Sequence, residues 1–527
     1  MHINWITLLA IIHDCIIQAD GVHAMTVARN VLLITSDQQH WRSMGCYDPR
    51  LRTPNLDRLA REGLRADRAY CPNPTCTPTR ASLITGLLPS QHGAYSLGTR
   101  LDPAVPTVGD RLRAAGVRTS LIGKAHFQPL QSDPRWPSVE AYPTLQDYGH
   151  WRGFREPWYG FDDIELVRNH VDEGHVGMHY GLWLQERCPD WRSWFRTPGG
   201  TARHSRRGAW ELPEGLHYNR WIEERTIARL EAAKAAGQPC FTWASFPDPH
   251  PPYLVSGRWA SLYRPDEVEV PDGSRDDISR WPPYLARTRE QHPSYAEFEE
   301  AEGHWMHGCH SHLHDHAELA KDIAIYHGMM AFVDDCVGGI LRALDRLGMA
   351  DDTLVIFTTD HGHFFGQHGL IAKGPFHFED MVRVPFLARL PGAIPAGSVS
   401  ESLISLIDVA PTMLSALGLP PDRGMSGVDQ MPVWTGSAAS ARDHVLVENR
   451  HQPHRLHLDT YIDRRWKLTV HRGQAWGELY DLAADPGELR NLWDEPAAQE
   501  AKRDVLLRMV HAQMAKAPVP MPRLYGA

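Results

Sequence analysis

Apolar residues along this chain fall into two rhythms. Short unbroken runs of Val, Ile and Leu read as strands covered on both faces. Longer stretches with one apolar stripe read as helices. Residues 30–35, which contain Val31-Leu32-Leu33-Ile34, are the first such run. A helix is predicted over 53–63, with Pro54 in its first turn and Gly63 closing it, and a second over 107–115, ending at Gly116. Strand 117–122, helix 221–236 and strand 240–245 follow. Residues 317–347 form a long helix with Val333, Val337, Ile340, Leu341 and Leu344 along one face, and 353–358 is the next buried strand. A strand at 384–390 runs into Pro391-Gly392, and a further helix opens near Ser405. This alternation predicts an α/β sheet covered by helices. Beyond 430–445, which reads as a linker, short strands at 445–448, 461–463, 466–470 and 478–481 precede a helix near 497–515. That tail predicts a small antiparallel subdomain.

Two stretches lack any period, 131–220 and 251–315, and both are rich in Trp, Pro, Arg and His. They are expected to be insertions over the active face that select the substrate. The resulting division is a dispensable extension at 1–24, a catalytic domain at 25–430 carrying both insertions, and a C-terminal subdomain at 431–527. With 527 residues the chain can bury a core for two domains. The formal net charge of -10 argues against a nucleic-acid partner but allows a local cationic pocket for a small anion. The 8 cysteines are scattered, without a Cys-x-x-Cys pair, and read as free thiols. The apolar run Trp5 to Ile12 is shorter than the ~20 residues a bilayer span needs, so no membrane partner is expected. No Lys or Arg precedes Arg29, which favours a cytoplasmic location, with export by a degenerate signal in 1–24 as the alternative.

The candidate chemistry gathers around Cys76-Thr77-Pro78-Thr79-Arg80. Asp37-Gln38 follows the first strand and Asp360-His361 follows a later one, the position where ligands collect in open α/β sheets. Between and after them lie Gly123-Lys124-Ala125-His126, Asp248-Pro249-His250-Pro251-Pro252 and Lys373. In this order and spacing, from about residue 30 to residue 492, the chain resembles the type I sulfatases of the alkaline phosphatase superfamily. The resemblance implies an alkaline-phosphatase-like α/β fold, a mixed, mostly parallel sheet sandwiched by helices. It implies that Cys76 is converted by a formylglycine-generating enzyme to formylglycine, whose hydrate is the nucleophile. It implies one divalent cation on Asp37, Gln38, Asp360, His361 and the Cys76 position, with oxygen-rich ligation suggesting Ca²⁺ and the imidazole admitting Mn²⁺. Arg80 would hold the nucleophile's oxygen, Lys124 the sulfate and His126 the diol. His250 and Lys373 would face the leaving-group oxygen, and Asp360 is a candidate base.

The chain departs from the commonest sulfatase pattern. Asp-Gln with Asp-His resembles the phosphonate monoester hydrolase branch, whereas the Gly-Lys-x-His element points to sulfate. The leading expectation is therefore hydrolysis of a small-molecule sulfate monoester. The alternatives are a phosphonate monoester or phosphodiester hydrolase on the same site, or a catalytically silent binding protein in which Cys76 stays a thiol. Homo-oligomerisation is left open. The tract His304, His307, His310, His312, His314 and His316 reads as a solvated approach to the long helix or a lid, with a second metal site as the less favoured reading. His363, His368 and His377 lie near the catalytic loop without assigned roles, and Asp334 and Asp335 read as helix-surface or capping groups.

Overall fold

The computed structural model describes residues 27–168, 173–195, 207–273, 276–300, 315–420, 422–521 and 523. The run containing Val31-Leu32-Leu33-Ile34 is β1, Asn30–Ser36, buried at every position. It lies inside an eight-stranded sheet with β2 (Leu64–Ala66), β3 (Arg118–Gly123), β4 (Asp163–Leu166), β5 (Cys240–Ser245), β6 (Thr353–Thr359), β7 (Phe386–Arg389) and β8 (Ser398–Ser400). The strand order is β8-β2-β7-β6-β1-β5-β3-β4. Strand β1 pairs in parallel with β5 and β6, β5 with β3, and β3 with β4. Strand β7 runs antiparallel to both of its neighbours.

Alternate residues of β1 point to opposite faces, and each face is covered. Val31 and Leu33 join Phe241, Trp243 and Ile356 beneath helices α2 (Cys76–Thr85), α3 (Val108–Ala114) and α6 (Val409–Ala416). Leu32 and Ile34 join Ala244, Val355 and Phe357 beneath α1 (Pro54–Glu62), α4 (Tyr218–Ala236) and α5 (His316–Leu347). Helix α5 is apolar enough along its length to cross a membrane, but 89% of its most apolar window is buried inside this sandwich. Asp334 sits within α5 and is fully buried rather than at the helix surface. Its carboxylate accepts from the backbone N–H groups of Asn55 and Leu56 at 3.1 and 2.7 Å, capping α1. Asp335 pairs with Arg220.

The described parts of both insertions contain regular elements. The first contributes β4, one of the sheet's two edge strands, whose Asp163 and Glu165 pair with Arg118, Arg225 and Arg229. Charged edge residues of this kind block further strand pairing and also hide the strand from a hydrophobicity reading. Arg207–Trp210 and Tyr253–Ser256 pair in parallel, joining the two insertions. In the C-terminal region, β9 (Val445–Gln452), β10 (Leu456–Ile462), β11 (Trp466–His471) and β12 (Gly477–Asp481) form an antiparallel sheet. Leu446, Tyr461, Leu468 and Leu479 pack on α7 (Gln499–Ala515), and Val445, Val447, Leu458 and Ile462 join the main core. The stretch read as a linker holds Met431 and Trp434 buried in a short helix. The described cysteines Cys46, Cys71, Cys76, Cys188, Cys240 and Cys336 are free thiols.

Candidate active site

The carboxyl ends of four adjacent strands deliver the site. Asp37 and Gln38 follow β1, Asp360 and His361 follow β6, Lys124 and His126 follow β3, and His250 follows β5. Cys76 is the first residue of α2, whose ten residues are all buried. A helix N-terminus favours negative charge, so α2 favours an anion at its Cys76 end. Gly123 is required where β3 turns into the site. Its φ is 107°, and a Cβ there would lie 1.9 Å from the Ser245 carbonyl oxygen.

Ligand atoms of Asp37, Cys76, Asp360 and His361 lie within 4.8 Å of one another, and all four residues are buried. Cys76 Sγ is 3.2 Å from His361 Nε2, 3.4 Å from Lys373 Nζ, 3.8 Å from Asp37 Oδ1 and 3.9 Å from Lys124 Nζ. His361 Nδ1 faces the Gly362 carbonyl at 3.0 Å, which places the ring proton there and leaves the Nε2 lone pair toward the cluster. Burial pushes this imidazole down to about 4, so it is neutral and able to ligate near pH 7. Gln38 Oε1 is buried and has no hydrogen-bond partner, and the backbone N–H of the same residue donates to Asp360 Oδ1. Two carboxylates, an amide oxygen and a neutral imidazole suit a hard divalent cation such as Ca²⁺ or Mn²⁺.

Arg80 joins the two aspartates. Its Nε donates to Asp360 Oδ2 and its Nη2 to Asp37 Oδ2, both at 2.9 Å, while Nη1 reaches the Lys124 carbonyl and Ser245 Oγ. Its hydrogen bonds thus go to the carboxylates rather than to the Cys76 sulfur. Lys124 also pairs with Asp37. Burial opposes ionisation of Asp37, but Lys124 and Arg80 outweigh it and hold the carboxyl well below its usual range. Burial pushes the Cys76 thiol up to about 11, with Asp37 adding to the rise and Lys124 and Lys373 opposing it. An unmodified Cys76 is therefore a protonated thiol near neutral pH and a weak nucleophile. Lys373 Nζ lies 3.0 Å from His250 Nε2, and His250 Nδ1 lies 2.6 Å from the Pro251 carbonyl oxygen.

His126 is buried near Lys124, Arg80 and Asp37 in a left-handed backbone conformation, with φ at 57°. Glu140, a residue the sequence did not single out, holds it there. Its Oε2 accepts from the His126 N–H at 2.8 Å, and its Oε1 accepts from Phe127 and Gln128 at 2.8 and 3.0 Å. Glu140→Ala would leave three buried donors unpaired, each costing about 1–3 kcal/mol. Misplacing a positioned group by about 1 Å can cost roughly 10²-fold in rate. We expect Glu140→Gln to lower kcat by about that factor, because one amide cannot accept from all three donors. Steady-state kinetics of the variant would show a kcat near wild type if Glu140 only fills space.

Other histidines face elsewhere. His377 Nδ1 meets Thr460 Oγ1 of β10 at 2.7 Å, and His368 Nδ1 meets Asp276 at 2.6 Å, against Phe378. His363 contacts Gln38. Within the histidine tract, His304, His307, His310, His312 and His314 lie outside the described residues, and His316 is exposed at the start of α5.

Residues 29–419 match the Sulfatase family. The chain belongs to the sulfatase family. Residues 366–515 also match the N-sulphoglucosamine sulphohydrolase C-terminal family. Among sulfatase relatives, the multifunctional alkaline phosphatase superfamily protein PehA of Trinickia caryophylli is 30% identical, over 90% of this chain and 93% of its own length. The choline-sulfatase of Rhizobium meliloti (strain 1021) is 27% identical, over 89% of this chain and 83% of its own. The crystal structure of the phosphonate monoester hydrolase of Agrobacterium radiobacter aligns with a TM-score of 0.73 at 25% identity, covering 94% of this chain and 100% of that one. The sulfatase fold expected from the sequence, a mostly parallel sheet between helices with an antiparallel C-terminal sheet, is the fold observed.

Proposed function

We propose that this sulfatase hydrolyses sulfate monoesters, using formylglycine made from Cys76 and one divalent cation held by Asp37, Gln38, Asp360 and His361. The observation that carries the reading is the placement of Lys124 and Lys373 within 3.9 Å of Cys76 Sγ, beside the four-residue ligand cluster. Formylglycine, once hydrated, supplies a hydroxyl nucleophile and a second hydroxyl through which sulfate can be released. A divalent cation supplies Lewis acidity, easing deprotonation of a hydroxyl and neutralising charge on the transferred group. Because α2 is wholly buried, a formylglycine-generating enzyme would have to act before this fold is complete.

The chain's own residues do the rest. Lys124 and Lys373 hold the sulfate oxygens from two sides, and their positive charge stabilises the negative charge that grows as the S–O bond to the alcohol breaks. The Pro251 carbonyl fixes His250 with Nε2 toward Lys373, so the lysine–histidine pair shares a proton. That proton passes to the departing alcohol oxygen. Arg80 locks the two carboxylates at fixed separation, so the site does not reorganise during the reaction.

Lys124→Ala should lower kcat on a sulfate ester by about 10²-fold or more, as loss of an oxyanion donor does, and lower kcat/KM with it. A change confined to KM would assign Lys124 to ground-state binding alone. A second reading is supported by Gln38 and His361 as the companions of the two aspartates and by the similarity to a phosphonate monoester hydrolase. A sulfate monoester and a phosphodiester each carry one negative charge, whereas a phosphate monoester carries about two near neutral pH, so one pocket can accept the first two. Matched aryl sulfate, phosphonate and phosphodiester substrates decide between them. The sulfate reading predicts the highest kcat/KM on the sulfate, and a phosphonate turned over far faster than any sulfate would replace it with the second.

A further inference from the structure

We infer that His363, braced by Tyr253, is a positioning residue that turns the Gln38 amide oxygen toward the cation site. The inference rests on the proposed cation at Asp37, Gln38, Asp360 and His361, and it concerns how the weakest member of that set becomes a ligand. A glutamine amide has one end that can ligate a cation and one that cannot, so its rotation decides whether it contributes at all.

The Gln38 backbone is pinned on both sides. Its N–H donates to Asp360 Oδ1 at 2.9 Å, and its carbonyl accepts from Tyr326 Oη at 2.9 Å. At the side chain, Nε2 lies 3.0 Å from His363 Nδ1, while Oε1 is buried without a partner. An amide nitrogen donates, so His363 Nδ1 accepts, and the ring's proton resides on Nε2. Tyr253 Oη lies 3.1 Å from that nitrogen and accepts its proton. The ring cannot turn away from this arrangement. Tyr326 stacks on it at 4.8 Å between centroids, Phe365 meets it edge-on at 4.9 Å, and the His363 backbone N–H donates to the Asp380 carbonyl at 3.0 Å.

With the other tautomer, the Nδ1–H would face the amide NH₂, two donors in opposition. The amide would rotate and present NH₂ to a cation already held by two carboxylates. The chain Tyr253–His363–Gln38 prevents this by fixing the tautomer first and the amide second. Tyr253 belongs to the insertion at 251–315, so a residue of that insertion also sets one ligand of the cation.

The test is Ca²⁺ and Mn²⁺ titration calorimetry on the metal-stripped full-length protein. Residues behind metal ligands typically contribute 10–100-fold in affinity. His363→Ala should weaken binding within roughly that range, and Tyr253→Phe, which keeps the ring packing, should weaken it in the same direction by less. In a Gln38→Ala background, His363→Ala should cost nothing further, because its only route to the cation is gone. Equal losses in both backgrounds, or wild-type affinity in both single variants, would overturn the inference. A wild-type protein that binds neither cation would remove the metal reading itself, and this inference with it.

Discussion

Cys76→Ala should abolish turnover of any sulfate ester while leaving the fold intact. The side chain is small and nearly fully buried, so its loss leaves only a minor cavity at the start of α2. The kinetic loss is of another order. Removing a nucleophile that acts as a unit with its neighbours lowers kcat by roughly 10⁶-fold in well-studied hydrolases. Steady-state assay of the variant beside its thermal midpoint separates the two effects. Residual activity within about tenfold of wild type, at an unchanged midpoint, would mean that Cys76 only packs and that the nucleophile lies elsewhere.

The second large effect concerns Arg80. It is fully buried and bonded to both Asp37 and Asp360, themselves fully buried. Arg80→Ala removes the guanidinium that bridges two buried carboxylates. Breaking a buried ion pair from one side costs about 3–5 kcal/mol, and although Asp37 keeps Lys124, Asp360 loses its guanidinium partner. The variant should therefore show a large fall in thermal midpoint or recover poorly as soluble protein. Arg80→Lys should fall between, since an ammonium keeps the charge but cannot span two carboxylates with a fork. Thermal melts of both variants in chelator are the measurement. A midpoint for Arg80→Ala equal to wild type would show that the carboxylates do not depend on the guanidinium.

Much of the site was readable because its residues sit at fixed offsets from strand ends. Asp37, Gln38, Asp360 and His361 directly follow apolar runs, and Cys76 and Arg80 lie one helical turn apart on α2. Lys124, His250 and Lys373 belong to short motifs whose order survives in the chain, and the structure brings them to Cys76 or to one another. The residues that escaped notice work singly. Glu140 lies in an aperiodic stretch, and nothing local shows that its carboxylate folds back on the His126 loop. Ser245 ends a strand like any other serine, and its bond to Arg80 depends on strand order. His363 was visible as a histidine but not as the partner of Gln38, because that contact joins the ends of two neighbouring strands. Among the sheet strands, β4 was hidden because Asp163 and Glu165 mask its pattern. The offset of Arg80 from Cys76 was legible, but its bonds to Asp37 and Asp360 were not, since a motif gives spacing and not which acceptors the fork will meet.

The nucleophile proposed for this sulfatase is an aldehyde hydrate at position 76 and not a thiol. The protein should be produced with and without a formylglycine-generating enzyme, loaded with Ca²⁺, and assayed on an aryl sulfate. In parallel, mass spectrometry should quantify aldehyde and thiol forms of the tryptic peptide spanning residues 69–80. Turnover per molecule should rise in proportion to the aldehyde fraction and vanish when that fraction is zero. Full turnover from protein whose Cys76 is entirely thiol would contradict it.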